Sequence, residues 1–337
     1  MKKQILIDSL YINNSGGLRL LDYLVRTLEC KKIDFFLLAD ARTRGKFDTI
    51  RHVEYMDASL RNRGAFYKLH AKDFSNVLCF GNVPPPINLE VPVYTYFHNV
   101  NRLDVKVNYS FKKKVLSWMK RSYMKSLRVN TDKWIVQTSY TKQELIKYFE
   151  ESEDRVLIMP FYELPEDTVC KDIERNDYCF IGAYTGNKGH DELLAAWKIL
   201  HERGENLVLH LTVDKANRLF SELEKRYDFN ELNIINHGFV PFSKVMDIYH
   251  KSKAIIYPSK NESLGLGLIE AIHYGCDVLS SDLPYTYSVC KPSGVFDPTS
   301  PESIADAVGI YEYNNRKKST LLIHNMIDDL IKLITKS

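Results

Sequence analysis

Pro258 to Gly275 reads Pro-Ser-Lys-Asn-Glu-Ser-Leu-Gly-Leu-Gly-Leu-Ile-Glu-Ala-Ile-His-Tyr-Gly. Just ahead of it, Ala254-Ile255-Ile256-Tyr257 are β-prone, and Pro258 and Ser259 stop the strand. Residues 266–274 then read as a helix that starts near Gly265, so the stretch is a strand, a turn and a helix. Glu262 falls in the loop ahead of the helix and Glu270 about one turn into it. The first N–H groups of such a helix have no partner within it and point into the crevice above the strand ends. That geometry suits an anion, most naturally a diphosphate. A carboxylate beyond the phosphates can accept from a sugar hydroxyl, and a second one on the helix from a ribose. Two solvated surface glutamates are the plainer reading of the same pair.

Outward from this stretch the same alternation recurs. Strands are expected at 4–8, 34–38, 76–80, 93–97, 134–137 and 155–159, with helices at 18–28 and at 139–149, the latter capped by Ser139. Residues 13–17 read as a glycine-bearing loop. From 160 to 176 the periodicity stops. It restarts with strands at 178–181, 207–212, 232–236, 254–257, 277–280 and 295–296, and helices at 191–203 and 244–251. The β–loop–α order predicts parallel sheets with crossover helices. The expected fold class is α/β, in two Rossmann-like doubly wound domains facing a central cleft. The predicted boundaries are a first domain at 1–163, a linker at 164–176 and a second domain at 177–310. The apolar spacing of Leu321, Leu322, Met326, Ile327, Leu330, Ile331 and Ile334 predicts a last helix, at about 318–337.

The chain has 337 residues, enough for two domains, and is 45% hydrophobic and 26% charged. The apolar run at the start ends at Asp8, too short for an export signal, and no stretch has the apolar length of a membrane span. Six scattered cysteines without metal-ligand spacing fit a reducing cytosol. The net charge is +3, yet residues 105–131 hold Lys106, Lys112, Lys113, Lys114, Lys120, Arg121, Lys125 and Arg128 and no acid. The remainder of the chain is therefore net acidic. Trp118 and Met119 lie among these cations, a pattern suited to the anionic surface of a membrane. A solvated helix face is the plainer alternative. Nucleic-acid binding has no accompanying motif.

The motif resembles the donor-site signature of retaining glycosyltransferases of family 4, the E-x7-E group with the GT-B fold. The text that follows keeps to that pattern, with Gly275-Cys276-Asp277-Val278-Leu279-Ser280-Ser281-Asp282-Leu283-Pro284 and then Gly294-Val295-Phe296-Asp297-Pro298. The resemblance implies an N-terminal acceptor-side domain, a C-terminal domain that binds a nucleotide-diphosphate sugar, and a last helix that packs back on the first domain. Glu262 would contact the transferred sugar and Glu270 the ribose, with Ser263, Leu264, Gly265 and Leu266 around the phosphates.

The family also places an arginine, then a lysine five positions later, after the first strand of the second domain. Here Lys188 and Gly189 match, but Ala183 stands where the arginine belongs, and Lys260 is a candidate substitute. Gly186 and Gly189 would let the loop approach the ligand. Val240, in His237-Gly238-Phe239-Val240-Pro241, would hydrogen-bond the nucleobase. In the first domain, Gly16 and Gly17 resemble the family's glycine loop, and His98 resembles a histidine aimed at the transferred sugar.

Such enzymes need no metal, and no D-x-D pair lies in the loops expected to line the donor cleft. The implied catalytic set is Glu262, His98 and Lys188. The implied activity is transfer of a hexose to a saccharide acceptor, expected to be lipid-linked, for bacterial surface polysaccharide. The implied location is the cytoplasmic face of the cell membrane. A binding-only subunit, which Ala183 keeps open, and a nucleotide-sugar epimerase or hydrolase are the alternatives.

Overall fold

The structure is a computed structural model. It describes all residues except 1–3, 14, 104–110, 165–173, 315–316 and 337, and it describes the backbone alone at 15, 111–117 and 120. The chain divides into two compact units, Met1–Glu163 with His324–Ser337, and Leu164–Ile323.

The first unit holds a seven-stranded sheet. Its strands are β1 (Gln4–Asp8), β2 (Phe35–Asp40), β3 (Val53–Met56), β4 (Phe74–Cys79), β5 (Val93–Phe97), β6 (Lys133–Val136) and β7 (Val156–Ile158), in the order β3-β2-β1-β4-β5-β6-β7. Every pairing is parallel. A parallel sheet is covered on both faces, so its strands are apolar throughout. Ile5 and Ile7 point to one core with helix α1 (Ser15–Cys30), while Leu6, between them, points to the other with helix α2 (Leu60–His70). Helix α3 (Phe111–Leu127) and helix α4 (Ser139–Phe149) complete this unit's main chain before it leaves at Glu163.

The second unit repeats the plan with six strands: β8 (Asp177–Phe180), β9 (Leu209–Leu211), β10 (Ile234–Asn236), β11 (Ser252–Tyr257), β12 (Asp277–Ser281) and, after the short β13 (Cys290–Lys291), β14 (Gly294–Phe296). Their order is β10-β9-β8-β11-β12-β14, again all parallel. Between them run α5 (His190–Glu202), α6 (Arg218–Arg226), α7 (Phe242–Lys251), α8 (Leu266–His273), α9 (Pro284–Val289) and α10 (Pro301–Tyr313). In both units the chain reverses its direction across the sheet between the first and fourth strands, the switch point outside which α/β proteins bind ligands.

Three expectations change. Helix α1 begins at Ser15, so Gly16 and Gly17 form its first turn and not a loop. The first four amides of a helix carry no intrahelical bond, so glycine there interrupts nothing. The cap of α4 is Thr138, whose hydroxyl accepts from Thr141 N at 3.2 Å, one residue before Ser139. Leu321 and Leu322 are not helical. Thr320–Leu321 forms β15, antiparallel to β13, and the last helix, α11, runs only from Ile327 to Thr335. That helix places Ile327, Leu330, Ile331 and Ile334 in the core beside Ile5, Leu21 and Phe161. Asn76 Nδ2 donates to the carbonyls of Ile334 (2.7 Å) and Lys336 (2.9 Å) at its end.

Candidate active site

In the second unit two loops meet at the switch point, one after β8 and one after β11. Lys260 N donates to Asn187 O at 2.7 Å, and Asn187 Nδ2 to Asn261 O at 3.3 Å. The loops touch at Gly189, where a Cβ would lie 2.3 Å from Pro258 O and φ is +68°. Only glycine fits both demands. Gly186, expected to share this role, has open space around it. Gly189 precedes α5 and Gly265, with φ +67°, precedes α8, so two helix N-termini start from the edge of adjacent central strands. Each carries a partial positive charge there.

Lys188 and Glu262 form an ion pair in this corner, with 22% and 15% of their side chains exposed. The Lys188 ammonium lies 5.5 Å from the Tyr257 ring centroid. Burial, and then the Glu262 charge, push the Tyr257 hydroxyl well above its ordinary pKa, so it stays protonated beside Glu262. Behind the loop, Tyr285 Oη and Ser281 Oγ both donate to Ser259 O, at 2.7 and 2.8 Å. Lys260 pairs with Glu192 of α5 at 2.6 Å and borders a cavity of about 440 Å³ with Asp282, Leu283, Asp297, Pro298 and Thr299. Ala183 is exposed in the loop after β8. Ser263 and Leu266 are half-buried and Leu264 is buried.

Glu270 is 4% exposed and turned toward α7, where Tyr249 Oη donates to its Oε2 at 3.1 Å. Burial, with the Glu270 charge next, raises the Tyr249 pKa well above its usual value, so the phenol remains a donor. Val240 is half-buried in the turn after β10, a different part of the sheet edge. Its neighbour Gly238, with φ +77°, donates its N–H to Asn236 Oδ1 at 3.2 Å, and Phe239 is 90% exposed.

In the first unit, His98 follows β5. The structure brings it to Gly17, where a Cβ would stand 3.2 Å from His98 Nε2. Asn82, in the loop after β4, accepts from His98 N at 2.7 Å and sets its Nδ2 3.3 Å from His98 Nε2. The ring lies against Phe80 and Tyr96. Burial, and then the charge of Arg102, push the His98 pKa down to about 3. The imidazole is therefore neutral at neutral pH. Gly16 is exposed.

Residues 169–326 match the family described as glycosyl transferases group 1. Over 149 residues the chain is 28% identical to the serotype-specific mannosyltransferase WbdA of Escherichia coli, across 42% of this chain and 18% of that protein. It is 24% identical over 202 residues to the amylovoran biosynthesis glycosyltransferase AmsD of Erwinia amylovora, across 58% of this chain and 52% of that one. The chain thus spans about half or less of the length of these curated relatives. Among solved structures, the apo form of the lipopolysaccharide outer core galactosyltransferase WaaB superposes with a TM-score of 0.63 at 14% identity, over 92% of this chain and 90% of that one. HepE of Anabaena in complex with UDP and glucose superposes with a TM-score of 0.66 at 11% identity, over 93% and 90%. The fold is GT-B.

Within the GT-B chain the predicted residues fall into groups. Lys188, Glu262, Ser263, Leu264, Gly265 and Leu266 share the switch point of the second unit. Glu270 sits deeper, on α8, and Val240 stands apart after β10. His98 and Gly17 come together in the first unit. Sequence reading missed Asn82, Tyr249 and Tyr257, whose hydrogen bonds and charges fix the predicted residues. Asn82 had one signal, in that Gly81-Asn82 stands just past the end of β4, after Phe80. Tyr249 had none, because Glu270 comes from another element, whereas Tyr257 ends the strand that leads into the Glu262 loop. Of the basic segment, Lys106 and the side chains of Lys112, Lys113, Lys114 and Lys120 lie outside the described residues. Trp118 and Met119 of α3 are 65% and 56% exposed. No helix among the described residues is long and apolar enough to cross a membrane.

Proposed function

We propose that the protein is a retaining glycosyltransferase of the E-x7-E kind. It would move a hexose from a nucleotide-diphosphate sugar to a saccharide acceptor carried on a lipid, in the assembly of a bacterial surface polysaccharide. The observation that carries this reading is the Lys188–Glu262 pair between the N-termini of α5 and α8. The named activities of WbdA and AmsD, and the UDP and glucose held by HepE, support it.

The amides at the two helix starts and the Lys188 ammonium meet the diphosphate. Lys188 leaves Glu262 for the phosphate, and Glu262 is released to accept from a hydroxyl of the sugar. As the bond from C1 to the phosphate oxygen breaks, negative charge grows on that oxygen, where Lys188 and the helix amides stabilise it. The acceptor oxygen bonds to C1 on the same face, and its proton passes to the departing phosphate. Glu270, braced by Tyr249, takes the ribose, and backbone groups near Val240 take the base. Ala183 offers no arginine fork, so the phosphates depend on Lys188 and the amides.

Exchange of Glu262 for glutamine tests the site. Turnover of the donor sugar should fall at least a hundredfold while nucleotide affinity holds or rises, because Lys188 is then unpaired. Exchange of Glu270 for glutamine should weaken nucleotide binding instead. Equal, small effects from both would sink the assignment. The exposed Trp118 and Met119 and the surrounding cations support contact with an anionic membrane from the cytoplasmic side. Replacing Lys112, Lys113 and Lys114 together by glutamate should reduce co-sedimentation with anionic vesicles. Unchanged sedimentation would remove the membrane from the account.

A further inference from the structure

We propose that Asn82 fixes His98 as a neutral ring with its proton on Nδ1, and that the buried Asp8–Arg63 pair holds Asn82 in place to do so. The catalytic bearing of the inference rests on the proposed function, through the resemblance of His98 to a histidine aimed at the transferred sugar. Its geometry, however, is independent of that reading.

Asn82 Oδ1 accepts from the His98 backbone N–H at 2.7 Å, which settles which way its amide faces. Asn82 Nδ2 therefore faces His98 Nε2, at 3.3 Å. An amide nitrogen only donates, so Nε2 must accept and the ring proton belongs on Nδ1. A charged ring would turn an N–H toward another N–H at this contact. Among the described residues, the groups around the ring are Phe80, Tyr96, Gly17 and Asn82, with Arg102 as the charged neighbour. None offers an anion to a protonated imidazole. Nδ1 is buried and has no hydrogen-bond partner among the described residues.

Asn82 can do this only from a particular backbone. Its φ is +68°, a left-handed conformation that asparagine tolerates better than most residues. The preceding Gly81 passes so close to the loop after β1 that a Cβ would lie 2.3 Å from Leu10 O. The carbonyls of the next two residues, Val83 and Pro84, accept from Arg63 Nη2 and Nη1, both at 2.8 Å. Arg63 Nε donates to Asp8 Oδ2 at 2.8 Å, and Tyr67 Oη to the same oxygen at 2.7 Å. Arg63 is 2% and Asp8 1% exposed. A buried ion pair adds little net stability, since desolvation offsets the attraction. What the planar guanidinium does supply is position, because its fork sets the end of β1 and the loop after β4 in one geometry. Arg63 is thus a positioning residue, acting on His98 through Asn82.

The consequence is chemical. The Nε2 lone pair is engaged by Asn82, so His98 is not the base that takes the acceptor proton.

The test is a long-range ¹⁵N–¹H correlation spectrum of the full chain labelled with ¹⁵N-histidine, with His98 assigned by its loss in His98→Gln. The wild type should show the Nδ1–H pattern from pH 7.5 down to pH 5. An Nε2–H pattern, or a ring that titrates in that range, would overturn the proposal without any variant. Asn82→Asp keeps an acceptor for the His98 N–H and replaces the donor with a carboxylate. It should move the proton to Nε2 and bring the titration into the range from pH 5 to 8. An unchanged Nδ1–H signature would overturn the role of Asn82. Arg63→Lys keeps a charge opposite Asp8 but cannot reach both carbonyls, and should give a mixture of the two tautomers. A single unchanged tautomer there would overturn the role of Arg63. The readout is the ring itself, so the outcome stands apart from whether sugar is transferred.

Discussion

His190 opens helix α5 next to Lys188, yet it faces inward, 1% exposed, among Phe180, Tyr184 and Phe220. Burial, and then the Lys188 charge, push its pKa from 6.5 down to about 3. The unfolded chain therefore binds a proton below about 6.5 that the folded chain refuses until about 3. Stability from this group is complete above 6.5 and is lost progressively as pH falls. Replacing His190 by leucine should narrow the drop in melting temperature between pH 7.5 and pH 5. His98 titrates in the same sense and keeps the drop from vanishing. An undiminished drop in the variant would contradict the assignment. Single residues also mark the limit of the sequence. Glu262 and Glu270 were equally legible in the motif, but that Glu270 is buried against Tyr249 depends on α7, twenty-one residues away in the chain. Nothing in the local sequence encodes that contact.

Among elements, those that were legible are those with one buried pattern and sharp ends. Strand β1 and strand β5 begin and end as their apolar runs do, and α8 starts where Gly265 allows it. Short apolar runs misled, because Leu321-Leu322 suits a helix or a strand equally and the partner strand β13 decides. Glycine also read as loop at Gly16 and Gly17, where the first helical turn accepts it. Gly189 is the opposite case, fixed by the contact of two loops. Gly189→Ala should lower the melting temperature by several degrees and weaken nucleotide binding, since its Cβ would meet Pro258 O with φ at +68°. Gly186→Ala, in open space, should do neither. Scanning calorimetry and a nucleotide titration on the pair check this, and similar behaviour of the two variants would refute the close-approach role.

The whole molecule repeats one topology. Both units use the order 3-2-1-4-5-6, with a seventh strand added in the first, and the segments after the first and fourth strands carry Gly17 and Asn82 in one unit and Lys188 and Glu262 in the other. The alternation of strands and helices made this legible, because crossover connections leave few alternatives. A last helix was legible from apolar spacing, though its start was not, and its return to the first unit's core was implied only by the fold resemblance. The central claim is that the corner of Lys188, Glu262 and the two helix starts holds a nucleotide diphosphate. Isothermal titration of the full chain with UDP, GDP, dTDP and ADP tests it most directly, alongside Lys188→Ala. One nucleotide should bind saturably, and the variant should bind it about tenfold to a hundredfold more weakly, since a hydrogen bond to a charged group contributes about 1.5–3 kcal/mol. Binding of none of them, or equal binding by Lys188→Ala, would contradict the account.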